Sequence, residues 1–224
     1  MSSDAIVLDA VGLSFPNSKS FVSAIKNLVS KSNDDFKALK NINLTVQTGE
    51  VFGLIGKNGS GKSTILRIIA GIYAADSGTC KIRGSTSLLA GLGTGFSQHQ
   101  TGVENALLYG SILGHTEAEM RKLLPEIIKF SELGDFINKP LRTYSAGMKA
   151  RLGLAVASAI CPDILLIDEV LGVGDPQFRE KSKQRILELV KKTGTVVIVS
   201  HSFALMKEIL SLIHISEPTR RKHI

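Results

Sequence analysis

GKNGSGKST, at Gly56–Thr64, follows the apolar run VFGLI (Val51–Ile55) and leads into KSTILRIIA (Lys62–Ala70). VFGLI has the length and composition of a strand buried on both faces of a sheet. The last segment reads as a helix. Between them the glycines frame the pattern GxxxxGK followed by Ser or Thr. A nucleotide's phosphates need backbone N–H groups brought very close, which side chains would obstruct, and a helix N-terminus aimed at them. Strand, loop and helix stand in the required order. Gly56, Asn58, Gly59, Ser60 and Gly61 are therefore candidate phosphate contacts. Lys62 would reach the β- and γ-phosphates, the Ser63 hydroxyl would ligate Mg²⁺, and Thr64 lies at the α-phosphate end.

Outward from this loop the pattern is that of one α/β domain. The 224 residues suffice for a single substantial core. Ala5–Val11 and Asn43–Thr48 read as strands, the second half-buried, with an insertion of about Asn17–Lys37 between them. In that insertion Phe21, Ile25 and Leu28 fall on one helical face. Thr79–Arg83 reads as a further strand. Glu117–Phe130 has helical spacing, and Pro125, which lacks a backbone donor, predicts two helices meeting there. Ile164–Asp168 and TVVIVS (Thr195–Ser200) are two more buried-strand candidates. Ligands of open α/β sheets bind at the C-terminal ends of such strands.

Composition narrows the function classes. A 43% hydrophobic content and a mean hydropathy of +0.16 fit a globular chain, and no apolar run approaches a bilayer span. MSSDAIVLDA has no secretory pattern. Cys80 and Cys161 lack metal-ligand spacing and read as reduced thiols. The net charge of +7 is scattered, and aromatic residues are only 5% with no Trp, so nucleic acid is not an expected partner.

Two further segments carry chemistry. ILLIDE (Ile164–Glu169) ends a buried strand in two acids. Downstream of a phosphate loop, Asp168 would hold Mg²⁺, and Glu169 would orient the attacking water and accept its proton. YSAGMKARL (Tyr144–Leu152) precedes an apolar helix expected over Ala150–Ile160. By itself Ser-Ala-Gly before a helix is an N-cap.

Taken with GKNGSGKST and ILLIDE, this segment resembles the ATP-binding cassette (ABC) ATPases. YSAGM departs from the commonest signature, LSGGQ, at three of five positions, but Ser145 and Gly147 keep the hydroxyl and the close backbone approach. The resemblance implies an α/β P-loop NTPase domain with a RecA-like mixed sheet core. It also implies N-terminal antiparallel strands and a helical subdomain around Gly102–Ile160. Two copies would dimerise head to tail, with Ser145 and Gly147 of one contacting the γ-phosphate of ATP held by the other. Asp175, in LGVGD, would couple the two sites, and His201, after TVVIVS, would contact the γ-phosphate. Phe15 is either the aromatic that stacks on adenine or an apolar strand end. In SLLAGLGTGFSQHQTGVEN (Ser87–Asn105) the place of the family's Mg²⁺-contacting glutamine falls near Leu92 and holds no amide, while Gln98 and Gln100 are out of register.

GLGTGFSQHQTGVEN, YSAGMKARLGLAVA, DEVLGVGD and the insertion after the first strand resemble one subgroup, the ATPases of polysaccharide exporters. That resemblance implies an ATP hydrolase at the cytoplasmic face of the membrane, peripheral through a separate permease that moves a lipid-linked glycan. A soluble ABC ATPase acting on ribosomes or DNA is the alternative. LSLIHISEPTR (Leu210–Arg220) resembles the in-frame translation of a sequencing adapter. Residues 1–209 are therefore expected to form the ATPase domain, C-terminally truncated, with 210–224 a non-native tail. An exposed sheet edge is expected where later strands would pair.

Overall fold

The computed structural model describes residues 3–16, 35–89, 93, 95–168, 176–200 and 221–223. Among the described residues eight strands form two sheets. The three-stranded antiparallel sheet has the order β2–β1–β4, from β1 (Asp4–Phe15), β2 (Phe36–Gln47) and β4 (Ser77–Ile82). The second sheet has the order β5–β6–β7–β3–β8 and is parallel throughout its described pairs. Its members are β3 (Val51–Ile55), β5 (Thr86–Leu89), β6 (Ile164–Asp168), β7 (Thr195–Ser200) and β8 (Arg221–His223).

The unbroken apolar runs have a physical cause. Successive side chains of a strand point to opposite faces, and this sheet has a core on each face. Phe52, Leu54, Leu166 and Val197 pack toward the antiparallel sheet and α1 (Lys62–Ile69). Val51, Ile55, Leu165, Ile167, Val196 and Ile198 pack on the opposite side. There they meet α2 (Gly102–Ile112), α3 (Glu117–Ser131), α4 (Ala146–Ala159) and α5 (Pro176–Thr193).

Several elements differ from the sequence expectation. β1 runs to Phe15 and β2 begins at Phe36, so Phe36 and Lys37 belong to a strand rather than to the insertion. β1 carries register shifts between Leu8 and Leu13, which let the pair continue past its irregular middle. The amphipathic helix expected over Phe21, Ile25 and Leu28 lies outside the described residues. Short β5, between two glycine-containing segments, has no pattern long enough to announce it. α4 begins at Ala146, directly after Ser145, not at Ala150.

Pro125 does not divide α3, which runs unbroken through it. The proline sits on the exposed face, where the carbonyl it leaves unpaired can be solvated. Met120 and Ile127, both fully buried, anchor the helix on either side. Capping boxes fix the starts of α2 and α3: Thr101 with Glu104, and Thr116 with Glu119. Hydrogen bonds from the Thr101 and Thr116 backbone N–H groups hold the Glu104 and Glu119 carboxyls below their ordinary value.

The tail set aside on sequence grounds contributes β8. Its residues pair in parallel with Gly53, Leu54 and Ile55 of β3. Among the described residues no helix is long and apolar enough to cross a membrane.

Candidate functional site

Register places the chemistry at one edge of the parallel sheet. Ile55 pairs with Ser200, and Asp168 with Val199, so β3, β7 and β6 end nearly flush. The glycine loop leaves β3 there and enters α1. Gly61 caps this helix with φ +87°, a conformation that favours glycine, and its side chain would have no room. A Cβ would lie 2.6 Å from Leu39 Cδ2 and 3.0 Å from the Ala38 carbonyl oxygen. Gly61→Ala is therefore expected to cost about 1–3 kcal/mol, a Tm fall of roughly 2–12 °C in a melting curve. An unchanged Tm would show that β2 yields at this contact.

The loop borders a cavity of about 340 Å³. Asn58, Gly59, Ser60, Gly61, Lys62, Ser63 and Thr64 line it together with Phe15, Phe36, Ala38, Asp168 and Val199. Lys62 is 8% exposed and folds back on its own loop. Its Nζ donates to the carbonyl oxygens of Gly56 at 2.9 Å and Lys57 at 2.8 Å. The Ser63 hydroxyl donates to Asp168 Oδ1 at 3.1 Å, across 105 residues of sequence. A hydroxyl and a carboxylate converging at a phosphate loop form the hard oxygen set that Mg²⁺ prefers. The residues present fit that ion. Among the described residues no cluster of three or more His, Cys, Asp and Glu side chains offers another metal site.

Ser145 and Gly147 lie elsewhere, on a second cavity of about 560 Å³ with Glu132, Leu133, Phe136, Met148 and Arg151. Ser145 caps α4, accepting from the Met148 N–H at 3.2 Å. Gly147 is informative. A Cβ there would meet only the Ser145 hydroxyl oxygen, at an ordinary 3.8 Å. Among the described residues nothing requires a glycine in this first helical turn, where alanine would be the better helix former by about 1 kcal/mol.

A charged and aromatic network ties this cavity to α5. Glu132, just after α3 and at φ +56°, pairs with Arg151 of α4 at 3.2 Å and Lys181 of α5 at 2.5 Å. The Arg151 guanidinium lies 4.6 Å from the centre of the Phe178 ring. Lys181 also donates to the Phe130 carbonyl at 3.0 Å. Glu132→Ala removes two half-exposed ion pairs, each worth about 0.2–1 kcal/mol. The expected result is a small Tm fall at low salt that shrinks at 1 M salt. A loss indifferent to salt would assign Glu132 a role other than charge pairing.

Gln98 faces α4, accepting at Oε1 from Lys149 Nζ at 2.9 Å, and neither it nor Gln100 lines the glycine-loop cavity. Glu169, Asp175, His201 and Leu92 lie outside the described residues. Phe36, Ala38 and Val199 line the cavity without being anticipated by the sequence. The first two escape notice because β2 starts earlier than its alternation suggests. Val199 follows from the sheet register alone.

Comparison with known proteins agrees with this geometry. The ABC transporter family matches at residues 39–172. The O-antigen export system ATP-binding protein RfbB of Myxococcus xanthus is 51% identical over 164 residues, 73% of this chain and 38% of that protein. The teichoic acids export ATP-binding protein TagH of Bacillus cereus is 42% identical over 180 residues, 80% of this chain and 33% of its own. The chain thus spans about a third of the length of these relatives. ABC transporter protein AbcA of Aeromonas salmonicida is 39% identical over 204 residues, 90% of this chain and 66% of its own. Among solved structures, the dimeric bacterial ABC transporter cassette MJ0796 superposes with a TM-score of 0.68 at 25% identity, covering 97% of this chain and 94% of its own. A post-hydrolysis dimer of the same cassette, bound to ADP and Pi, gives a TM-score of 0.67 at 25% identity, over 89% of each chain.

Proposed function

The chain belongs to the ABC transporter family, and on that premise we propose that it is the ATP-binding and ATP-hydrolysing subunit of a polysaccharide exporter. One observation carries the mechanism: the two phosphate-handling sets occupy separate cavities of a single chain. The glycine loop and Asp168 are in one, Ser145 and Gly147 in the other. A complete site then needs two copies arranged head to tail. Gly147 supports this, because the close approach that its missing side chain permits has no partner among the described residues.

In the proposed cycle the loop amides and Lys62 hold the ATP phosphates. Ser63 and Asp168 hold Mg²⁺, which when bound neutralises charge developing on the phosphates. Glu169 orients water and accepts its proton, and His201 contacts the γ-phosphate. Asp175 links the two sites of the dimer. Closure of the dimer pulls on a separate membrane permease, and hydrolysis resets it. The substrate is a lipid-linked glycan of the kind the relatives' names describe, O-antigen or teichoic acid. The chain works at the cytoplasmic face of the membrane, held there by the permease.

The test is ATP hydrolysis by the purified chain, together with its fractionation from cells. Mg²⁺-dependent turnover with recovery in the membrane fraction is expected. Recovery with ribosomes or DNA would overturn the exporter reading and leave the ATPase reading standing.

A further inference from the structure

Asn105 of α2 is fully buried, at 0% exposure, and the proposed cycle gives it no part. Its amide grips the loop that precedes the helix. Oδ1 accepts from the Ser97 N–H at 2.7 Å. Nδ2 donates to the carbonyl oxygens of Ser97 at 3.0 Å, Gln100 at 3.1 Å and Thr101 at 2.8 Å. Holding both backbone groups of Ser97 takes a donor and an acceptor side by side, as in a primary amide. Aspartate would lack the donor and leucine both. Folding exchanges such bonds for bonds to water, so their net contribution to stability is small. What a fully satisfied buried amide adds is a fixed geometry.

What it fixes lies beyond the loop. The same loop carries the turn that leads into Ser145. The Gln100 carbonyl accepts from the Leu141 N–H and the Gln98 carbonyl from the Arg142 N–H, both at 2.9 Å. Thr101 and Pro140 form a β-bridge beside them. Gln98 also reaches α4 through its bond from Lys149. Gly102, at the start of α2, lies so close to Tyr144 that a Cβ there would fall 2.4 Å from the tyrosine hydroxyl oxygen. The path from Asn105 is therefore short. The Gln100 carbonyl takes both Asn105 Nδ2 and the Leu141 N–H, and the Leu141 carbonyl accepts from the Tyr144 N–H at 3.0 Å. Ser145 follows directly. A hydroxyl that meets a phosphate held on another chain has to be placed by its own chain, to within about 0.5 Å.

We propose that Asn105 is a positioning residue. It clamps the 97–101 loop between α2 and the turn before α4, and so sets Ser145 and Gly147 where a partner's nucleotide is met. This rests on the reading of the site as one shared between two copies. Asn105 lines neither cavity. Its loss should spare nucleotide binding by one chain and impair the step that needs two.

The test uses the full chain carrying Glu169→Gln, so that bound ATP is not turned over, on size exclusion across a range of Mg²⁺-ATP concentrations. Adding Asn105→Leu keeps the volume and removes the amide. It should raise the ATP concentration needed for dimerisation roughly tenfold, as when only about a tenth of the chains hold the competent arrangement. Titration calorimetry, at a protein concentration that keeps the chain monomeric, should give an ATP Kd within about twofold of the Glu169→Gln chain. A parallel loss of monomer binding overturns the proposal, since it would mark general damage to the fold. If circular dichroism shows Asn105→Leu unfolded, Gln98→Met takes its place. That change lies on the surface, cuts the tie to Lys149, and should shift dimerisation the same way by about twofold or more. No shift in the variant that folds overturns the role of Asn105 and leaves the shared site standing. If Glu169→Gln alone does not dimerise with Mg²⁺-ATP, the shared-site reading fails and this proposal with it.

Discussion

Lys62→Ala is expected to weaken ATP binding by roughly 30- to several thousand-fold, the equivalent of about 2–5 kcal/mol for truncating one partner of a buried charge interaction. The structure explains why the effect should be large. Lys62 is almost fully buried, and its ammonium is held by the loop's own carbonyl oxygens at 2.8 and 2.9 Å. Its solvation has therefore already been given up, and anionic phosphate oxygens would be far better partners than neutral carbonyls. Lys62→Arg should not rescue binding. The planar guanidinium is bulkier than a point-like ammonium and cannot satisfy the same two carbonyls inside this tight loop. Titration calorimetry with Mg²⁺-ATP decides it. A Kd within threefold of wild type for either variant would contradict the role given to Lys62.

The same loop shows what the sequence could disclose. VFGLI and ILLID are legible as doubly buried strands because each alternate residue joins a different core, and no polar position interrupts either face before Asp168. The contact between Ser63 and Asp168 spans 105 residues, yet both ends are legible because each closes a motif with its own chemical logic. Where no such logic exists, the sequence misleads. Pro125 reads as a break because local backbone chemistry opposes a helix there. Met120 and Ile127, buried in the subdomain core, override it. Phe36 falls within the expected insertion because its strand begins at a loop end, where burial does not alternate. Only pairing with Phe15 places it, and pairing is long-range information. The separation of Ser145 from the glycine loop could not come from spacing either, since α2 and α3 intervene and carry α4 to another face.

Glu169→Gln is expected to reduce ATP turnover by about 10²- to 10⁴-fold, the usual contribution of a general base, while leaving ATP binding intact. Glutamine keeps the shape and polarity of glutamate but cannot take the water's proton. If the site is composite, this variant has a second consequence. ATP that is bound but not hydrolysed remains between two copies, so the chain should run as a dimer on size exclusion only when Mg²⁺-ATP is present. Adding Ser145→Asp then isolates the second cavity. Aspartate caps a helix as well as serine does, so α4 should keep its start, but its carboxylate would face the partner's γ-phosphate. Coulomb repulsion between two anions in a site closed to water is strong. The double variant should bind ATP as a monomer with little change in Kd and should fail to dimerise. Dimerisation that survives Ser145→Asp would mean that the cavity holding Ser145 and Gly147 does not meet the partner's nucleotide, and the glycine at 147 would be left without a reason.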